Sequence, residues 1–179
     1  MENQEISSNP GMAKTALVYG LIIGVFLIMA SMGFYLAGAI TSPIASYLSL
    51  LAVLVGIILA TLSWRKEGMG GYISYGKAVG FGSLTILFAS ILAGIFTYVF
   101  YKIIDPGAIN LILHASEEAL LRRSPDMPDE QFEAAMNMTR RFMTPLALSI
   151  TTFFNTAFSG VIFSLITSIF LKRKPKEEF

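Results

Sequence analysis

The chain has 179 residues, of which 54% are hydrophobic and 14% are charged, and its mean hydropathy is +0.65. An ordinary soluble domain carries about 25% charged residues, so we interpret four long uncharged stretches as membrane-spanning helices. The net charge of +1 leaves no basic surplus for binding nucleic acid, and the absence of cysteine excludes disulfides and thiolate sites.

The four predicted spans are long enough to cross a bilayer core of about 30 Å, which needs about 20 helical residues. They cover residues 15–40, 43–64, 78–101 and 145–171. Residues 37–39 resemble a signal-peptide cleavage site, but the first apolar stretch far exceeds the roughly 7–15 residues of such a signal, so we expect it to be a span. Ser42 is predicted to cap the second helix, with Pro43 in its first turn. Thr41 and Ser42 then form a very tight turn between antiparallel neighbours.

The next connection is predicted to cover residues 65–77. Gly68, Gly70 and Gly71 make it flexible. Trp64, Tyr72 and Tyr75 flank it and suit the headgroup level of a membrane.

The distribution of lysine and arginine predicts the orientation, because short basic segments stay in the cytoplasm. With four spans, both termini and the central connection share one side. That side carries eight cations in short segments, whereas the long connection 102–144 carries five in all. The eight are Lys14, Arg65, Lys66, Lys77, Lys172, Arg173, Lys174 and Lys176. We therefore predict that both termini are cytoplasmic.

The long connection is predicted to form a periplasmic hairpin of two amphipathic helices, at about residues 105–143. Asp105 is predicted to cap the first helix, which starts at Pro106. Residues 124–127 form the turn, and the second helix begins at Pro128. The expected apolar faces are Ile109, Ile112, Leu113, Ala119 and Leu120 on the first helix, and Phe132, Ala135, Met136, Thr139, Phe142 and Met143 on the second. These faces pack on each other, on lipid headgroups or on a partner. The predicted fold is an all-α integral membrane protein, with residues 1–179 as a single four-span domain.

The hairpin also contains the residues that most resemble a chemical site. His114 precedes Glu117 and Glu118 at a spacing that suits a metal, but a solvated stripe with a Glu118–Arg122 pair explains the pattern without one. The pair Met136 and Met138 suggests copper, but their sulfurs point about 200° apart on one helix. The acidic cluster Asp126, Asp129, Glu130 and Glu133 is typical of a helix start. We therefore assign no catalytic, cofactor-binding or metal residue and expect no cofactor.

Inside the spans, Asn155 is the strongest polar residue, about 15 Å along the fourth helix, with Thr151 and Ser159 one turn away on either side. Small residues recur at every fourth position, which permits close helix packing. The stripes are Thr152, Thr156, Gly160, Ser164 and Ser168; Ala16, Gly20 and Gly24; Ala52, Gly56 and Ala60; and Gly76, Gly80, Ser90 and Gly94. Phe154, Phe158, Val161, Leu165 and Ile169 form the opposite, lipid-facing side of the fourth span. We expect most of these stripes to form contacts between helices of one chain rather than between subunits.

Three segments, at residues 72–78, 101–106 and 138–145, together with the lysine-rich end, resemble a bacterial membrane family catalogued as domain of unknown function 4199. The resemblance covers nearly the whole chain. It implies a four-span inner-membrane protein with a helical insert before the last span. It implies no catalytic or ligand residues.

These observations favour a non-enzymatic scaffold or accessory subunit that binds other membrane proteins or lipid. The alternative is a small permease or lipid-handling channel formed by oligomers, with Asn155, Thr151, Thr152 and Ser159 lining a path. An enzyme that uses His114 is a third hypothesis. The expected partners are the bilayer and a membrane protein or a second copy of the chain.

The orientation can be tested with single cysteines at Ser116 and Gly71. A thiol reagent that cannot cross the inner membrane should label Ser116→Cys in intact cells and leave Gly71→Cys unlabelled until the cells are opened, because only the hairpin is predicted to face outward. The reverse pattern would show that the topology is inverted.

Overall fold

A computed structural model describes residues 10–173; Lys174 and Lys176, which entered the charge count, lie outside this range. The helices are α1 (Pro10–Leu36), α2 (Pro43–Glu67), α3 (Tyr75–Val99), α4 (Ala108–Arg123), α5 (Asp129–Phe142) and α6 (Pro145–Leu171), with a π-helical turn at Phe100–Ile104 after α3. Within the described residues, the only pairing of strand type is an isolated bridge between Ile73 and Arg173.

The four predicted spans are confirmed as α1, α2, α3 and α6, each of which is long and apolar enough to cross a membrane. The fourth span has the bounds expected from the sequence, and the Thr144 hydroxyl caps it by accepting a hydrogen bond from the Ala147 N–H at 3.2 Å. The Ser42 hydroxyl likewise accepts from the Ile44 N–H and Pro43 begins α2, as predicted. The predicted cap of α2 therefore forms where the sequence placed it.

The predicted end of the first span, at residue 40, is wrong, and so is the tight turn at Thr41 and Ser42. Helix α1 ends at Leu36, because Gly38 adopts a positive φ of 67° that stops the helix. The Gly38 N–H donates to Tyr35 O and the Ala39 N–H donates to Phe34 O, which is the Schellman cap. The connection to α2 therefore covers residues 37–42, although the apolar stretch continues through it.

The second connection is shorter than predicted, because α2 continues to Glu67 and α3 begins at Tyr75. Trp64 does not project outward from the bundle. Its side chain is 6% exposed and stacks on Phe81, with ring centroids 4.4 Å apart. Tyr72 and Tyr75 remain exposed, as expected of interfacial aromatics.

The hairpin forms as two helices, but the first begins later than predicted. The third span continues through the π-helical turn to Ile104, so Pro106 does not start α4, which begins at Ala108 with Gly107 as its N-cap. The Asp105 carboxylate caps only the preceding turn, by accepting from the Gly107 N–H at 2.9 Å. Turn residues Ser124 and Met127 are joined by a backbone hydrogen bond, as expected for the tip of a hairpin.

Helix α3 lies at the centre of the bundle. It packs against α1, α2 and α6, and α2 also contacts α1 and α6, while α1 and α6 lie on opposite sides of α3. We call the end that carries residues 37–42 and α4–α5 the hairpin end. The terminal end carries the start of α1, the end of α6 and the connection between α2 and α3.

Glycines at the α3 contacts let the helix backbones approach closely. A β-carbon at Gly20 of α1 would lie 2.6 Å from the Thr85 carbonyl oxygen of α3, and one at Gly24 would lie 2.9 Å from the Leu92 side chain. A β-carbon at Gly160 of α6 would overlap Ile86. The stripes of α1 and α6 are therefore used within the chain, as expected.

Polar side chains of α6 reinforce this contact. The Ser164 hydroxyl donates to Val79 O at 3.0 Å, and the Ser149 hydroxyl donates to Gly94 O at 2.8 Å. On the opposite side of α6, Phe154 and Phe158 are 64% and 71% exposed, as expected for side chains that face lipid. Helix α6 thus has a packed polar side and an apolar outer side.

The close approach at Gly20 predicts a position-specific effect of alanine. Gly20→Ala should lower the free energy of unfolding by about 1–3 kcal/mol, because its methyl group meets backbone in α3. Thermal unfolding in a mild detergent measures this. Gly33→Ala is the matched control in the same helix, because a β-carbon there meets nothing within 4 Å, and it should be neutral or slightly stabilising. Equal losses for both variants would contradict the packing.

Candidate functional site

A cavity of about 310 Å³ lies among the four spans in the half of the bundle nearest the hairpin end. Its walls come from the second halves of α1 and α3 and the first halves of α2 and α6. The polar side chains that line it are Ser31, Ser46, Ser49, Thr97, Thr152, Asn155, Thr156 and Ser159. None of these groups is ionisable and the other nine lining residues are apolar, so the cavity is uncharged and carries polar groups on a partly apolar wall.

Helical spacing explains why these side chains meet. On α6, residues 152, 155, 156 and 159 follow the i, i+3, i+4, i+7 pattern of one helix face. Ser46 and Ser49 of α2 lie one turn apart, and Ser31 of α1 joins them because α1 and α2 are antiparallel neighbours. Helices α1 and α6 are not among the closely packed helix pairs, and the cavity lies between them.

Several of the hydroxyl hydrogens already have partners in their own helices. Ser49 donates to Ala45 O at 2.8 Å, Thr97 to Ala93 O at 2.9 Å and Ser159 to Asn155 O at 2.7 Å. Their oxygen lone pairs can still accept hydrogen bonds from a bound molecule. These three hydroxyls therefore act as acceptors toward the cavity.

The Asn155 amide can both donate and accept. Its side chain is exposed and forms no hydrogen bond with the part of the chain that the structure describes. It lies about 15 Å along α6, where water is scarce and an unpaired amide is costly. This position favours a ligand or a partner with hydrogen-bonding groups.

The cavity ends toward the terminal half of the bundle. Ile57 lies one turn beyond the wall residue Val53 and is fully buried, as is Ile86, which packs at Gly160. The stacked rings of Trp64 and Phe81 lie further along the same core. The cavity is therefore a chamber that is closed toward the terminal end and open to the protein surface, rather than a continuous pore.

A hydrogen bond that the sequence analysis did not predict joins α1 to the start of the hairpin. The Tyr35 hydroxyl donates to Asp105 Oδ2 at 2.5 Å, and the Tyr35 ring packs edge to face on Phe100, with centroids 5.0 Å apart. Phe100 is the first residue of the π-helical turn. The contact holds the end of α1 against the end of the third span, beside the cavity.

Three of the four residues that the sequence analysis placed along a path line the same cavity. Thr152, Asn155 and Ser159 line the cavity, but Thr151 does not and is exposed. A helix turns by about 100° per residue, and this rotation takes Thr151 away from the wall that Thr152 forms. Ser31, Ser46, Ser49 and Thr97 also line the cavity and were not predicted. Their only signal in the sequence is a hydroxyl near the hairpin end of each of the first three spans.

The hairpin residues do not converge on one site. His114 Nδ1 lies 3.7 Å from Glu117 Oε2, and the predicted Glu118–Arg122 pair forms at 3.2 Å, all on exposed side chains. Met136 is 5% exposed whereas Met138 is 63% exposed, so their sulfurs lie on different sides, as expected. Within residues 10–173, no three His, Asp or Glu side chains are grouped to hold a metal ion.

These features define a multi-span helical membrane protein with a pair of shorter helices before its last span and an uncharged chamber that carries polar groups. The family model described as protein of unknown function (DUF4199) matches residues 18–173, and the chain belongs to this family, which confirms the resemblance seen in the sequence. No curated protein and no solved structure matches the chain.

The unpaired Asn155 amide predicts that this residue is not needed for folding. Asn155→Leu should leave thermal unfolding in detergent unchanged, because the substitution breaks no hydrogen bond within the described chain. Ser164→Ala on the same helix is the matched comparison, and it should cost about 0.6 kcal/mol by removing the bond to Val79 O. A larger loss for Asn155→Leu than for Ser164→Ala would show that the amide holds the bundle together.

Proposed function

We propose that the chain is a non-enzymatic accessory subunit of a bacterial inner membrane, and that the α4–α5 hairpin binds another membrane protein. The observation that carries the proposal is the surface of the hairpin. Ala108 and Met136 are the only buried side chains of α4 and α5. The two helices contact each other, and six of their remaining apolar side chains, three on each helix, are exposed.

The exposed apolar side chains extend over both helices. Leu111 and Leu121 of α4 are each 49% exposed, and Met138 and Phe142 of α5 are each 63% exposed. Apolar side chains in contact with water are unfavourable, and clusters of them mark interaction sites. Methionine and phenylalanine also adapt well to a protein surface.

Charge favours a protein partner over the lipid surface. Residues 102–144 contain seven carboxylates and five cations. A net negative segment is repelled by anionic headgroups, whereas helices that lie on such membranes are rich in lysine and arginine. The hairpin thus suits a neutral or basic protein surface better than an anionic bilayer.

The proposed topology has both termini in the cytoplasm and the hairpin in the periplasm. Six of the eight counted cations belong to the described residues, and all six lie at the terminal end of the bundle. Arg65 also donates to the Leu171 carbonyl at 3.0 Å, where the negative end of the α6 dipole favours a cation. This concentration of charge supports a cytoplasmic terminal end.

The second candidate is a small oligomeric permease or lipid-handling channel. It is favoured by the cavity, in which Thr152, Asn155 and Ser159 meet polar groups of three other spans. The packed terminal half opposes a path through one subunit in this conformation. Transport that is lost in Asn155→Leu, at unchanged abundance, would favour this candidate.

Site-specific photocrosslinking tests the proposed partner surface. A photoreactive phenylalanine in place of Met138 should crosslink in living cells to one partner protein, giving a product that contains one copy of each chain. We expect this because the Met138 side chain projects from the exposed hairpin. A second substitution, Phe142→Asp, should reduce that product about tenfold by placing a charge in the contact. The same probe at Phe158, on the outer side of α6, is the control and should label lipid. Lipid as the only product at Met138 would overturn the proposal.

A further inference from the structure

The polar cavity is adjacent to a second, apolar groove of about 590 Å³ between α1 and α2. The groove is lined only by apolar residues, from Phe34 and Leu48 near the hairpin end to Ile22 and Leu59. Phe34 lines both the cavity and the groove. A polar chamber and an apolar channel therefore meet at one side chain.

The length of the groove matches one lipid chain. Leu48 and Leu59 are eleven residues apart on α2, which corresponds to about 16 Å of helix. One leaflet contributes about 15 Å to the hydrocarbon core. A single acyl chain that follows α1 and α2 can therefore be covered along most of its length.

The size of the chamber suits a small head group. Its volume is about 310 Å³, and it ends toward the terminal half at the fully buried side chains of Ile57 and Ile86. We therefore consider a compact head, rather than an extended chain, as its occupant.

The side chains that line the chamber favour an uncharged head group. Its polar groups are hydroxyls and the Asn155 amide, with no ionisable side chain among the lining residues. A charged head would lie near the membrane interior without a counter-charge, at a cost of at least about 2.5 kcal/mol. A head with neutral hydroxyl or ester groups can instead pair with Asn155 and with the free lone pairs of Ser49 and Thr97.

We propose that the chamber and the groove form one binding site for a single lipid with an uncharged, hydrogen-bonding head, of the diacylglycerol type. The head occupies the chamber, one acyl chain lies in the groove between α1 and α2, and Phe34 separates them. This site is independent of the hairpin surface, so it goes beyond the accessory role proposed above.

Native mass spectrometry of the full chain in mild detergent tests the site with two probes that share their acyl chains, dioleoylglycerol and dioleoylphosphatidylglycerol. We expect one equivalent of dioleoylglycerol to bind, at least about tenfold more tightly than the anionic lipid, because a charge in the chamber is uncompensated. No adduct, or equal binding of both lipids, would overturn the proposal.

Two variants locate the bound lipid. Asn155→Leu should weaken dioleoylglycerol binding about tenfold by removing the amide, and Ala52→Phe should abolish it by filling the groove. Ala13→Phe adds the same bulk at an exposed position of α1 outside the groove and should bind normally. Unfolding temperatures measured in parallel show that each variant is folded. Binding that survives both site variants would place the lipid elsewhere, while the hairpin crosslink at Met138 would still report separately on the partner.

Discussion

Close backbone contact between α3 and its neighbours is the constraint on which the bundle depends. Lipid gives apolar side chains no reason to associate, so helices in a membrane stay together through packing and interhelical hydrogen bonds. Gly20 brings α1 against the Thr85 carbonyl, and Gly160 brings α6 against Ile86. Ser164 then reaches Val79 O of α3. Because α3 holds both partners, α1 and α6 need not contact each other broadly.

The two halves of the bundle differ in packing density, because glycines at helix contacts predominate in one half and hydroxyl side chains in the other. Toward the terminal end, Gly82 and Gly160 allow dense packing, and Trp64 stacks on Phe81 inside the core. Toward the hairpin end, hydroxyls and the Asn155 amide take the corresponding positions, and the helices leave a chamber between them. The terminal half of the bundle is therefore densely packed, and the hairpin half offers groups that can form hydrogen bonds with a bound molecule.

Local signals predicted much of the fold. Ser42 and Pro43 marked the start of α2 because a cap and a fixed φ act within one turn, and the apolar stretches identified all four spans because a bilayer sets their length. The end of α1 was less predictable. The stretch remains apolar to residue 40, and only the backbone at Gly38 shows that the helix stops earlier. The chamber was predictable only through α6, where three of its residues follow one helix face.

Composition, charge and periodicity determined by themselves that this is a four-span helical membrane protein with an amphipathic pair of helices before the last span. These features depend on the length and polarity of each segment alone. The meeting of Ser31, Ser46 and Thr97 with Asn155, the stacking of Trp64 and the bond from Tyr35 to Asp105 were decided only by the tertiary structure. Each joins residues on different helices, and no local pattern encodes how helices rotate about their axes when glycines set the contact.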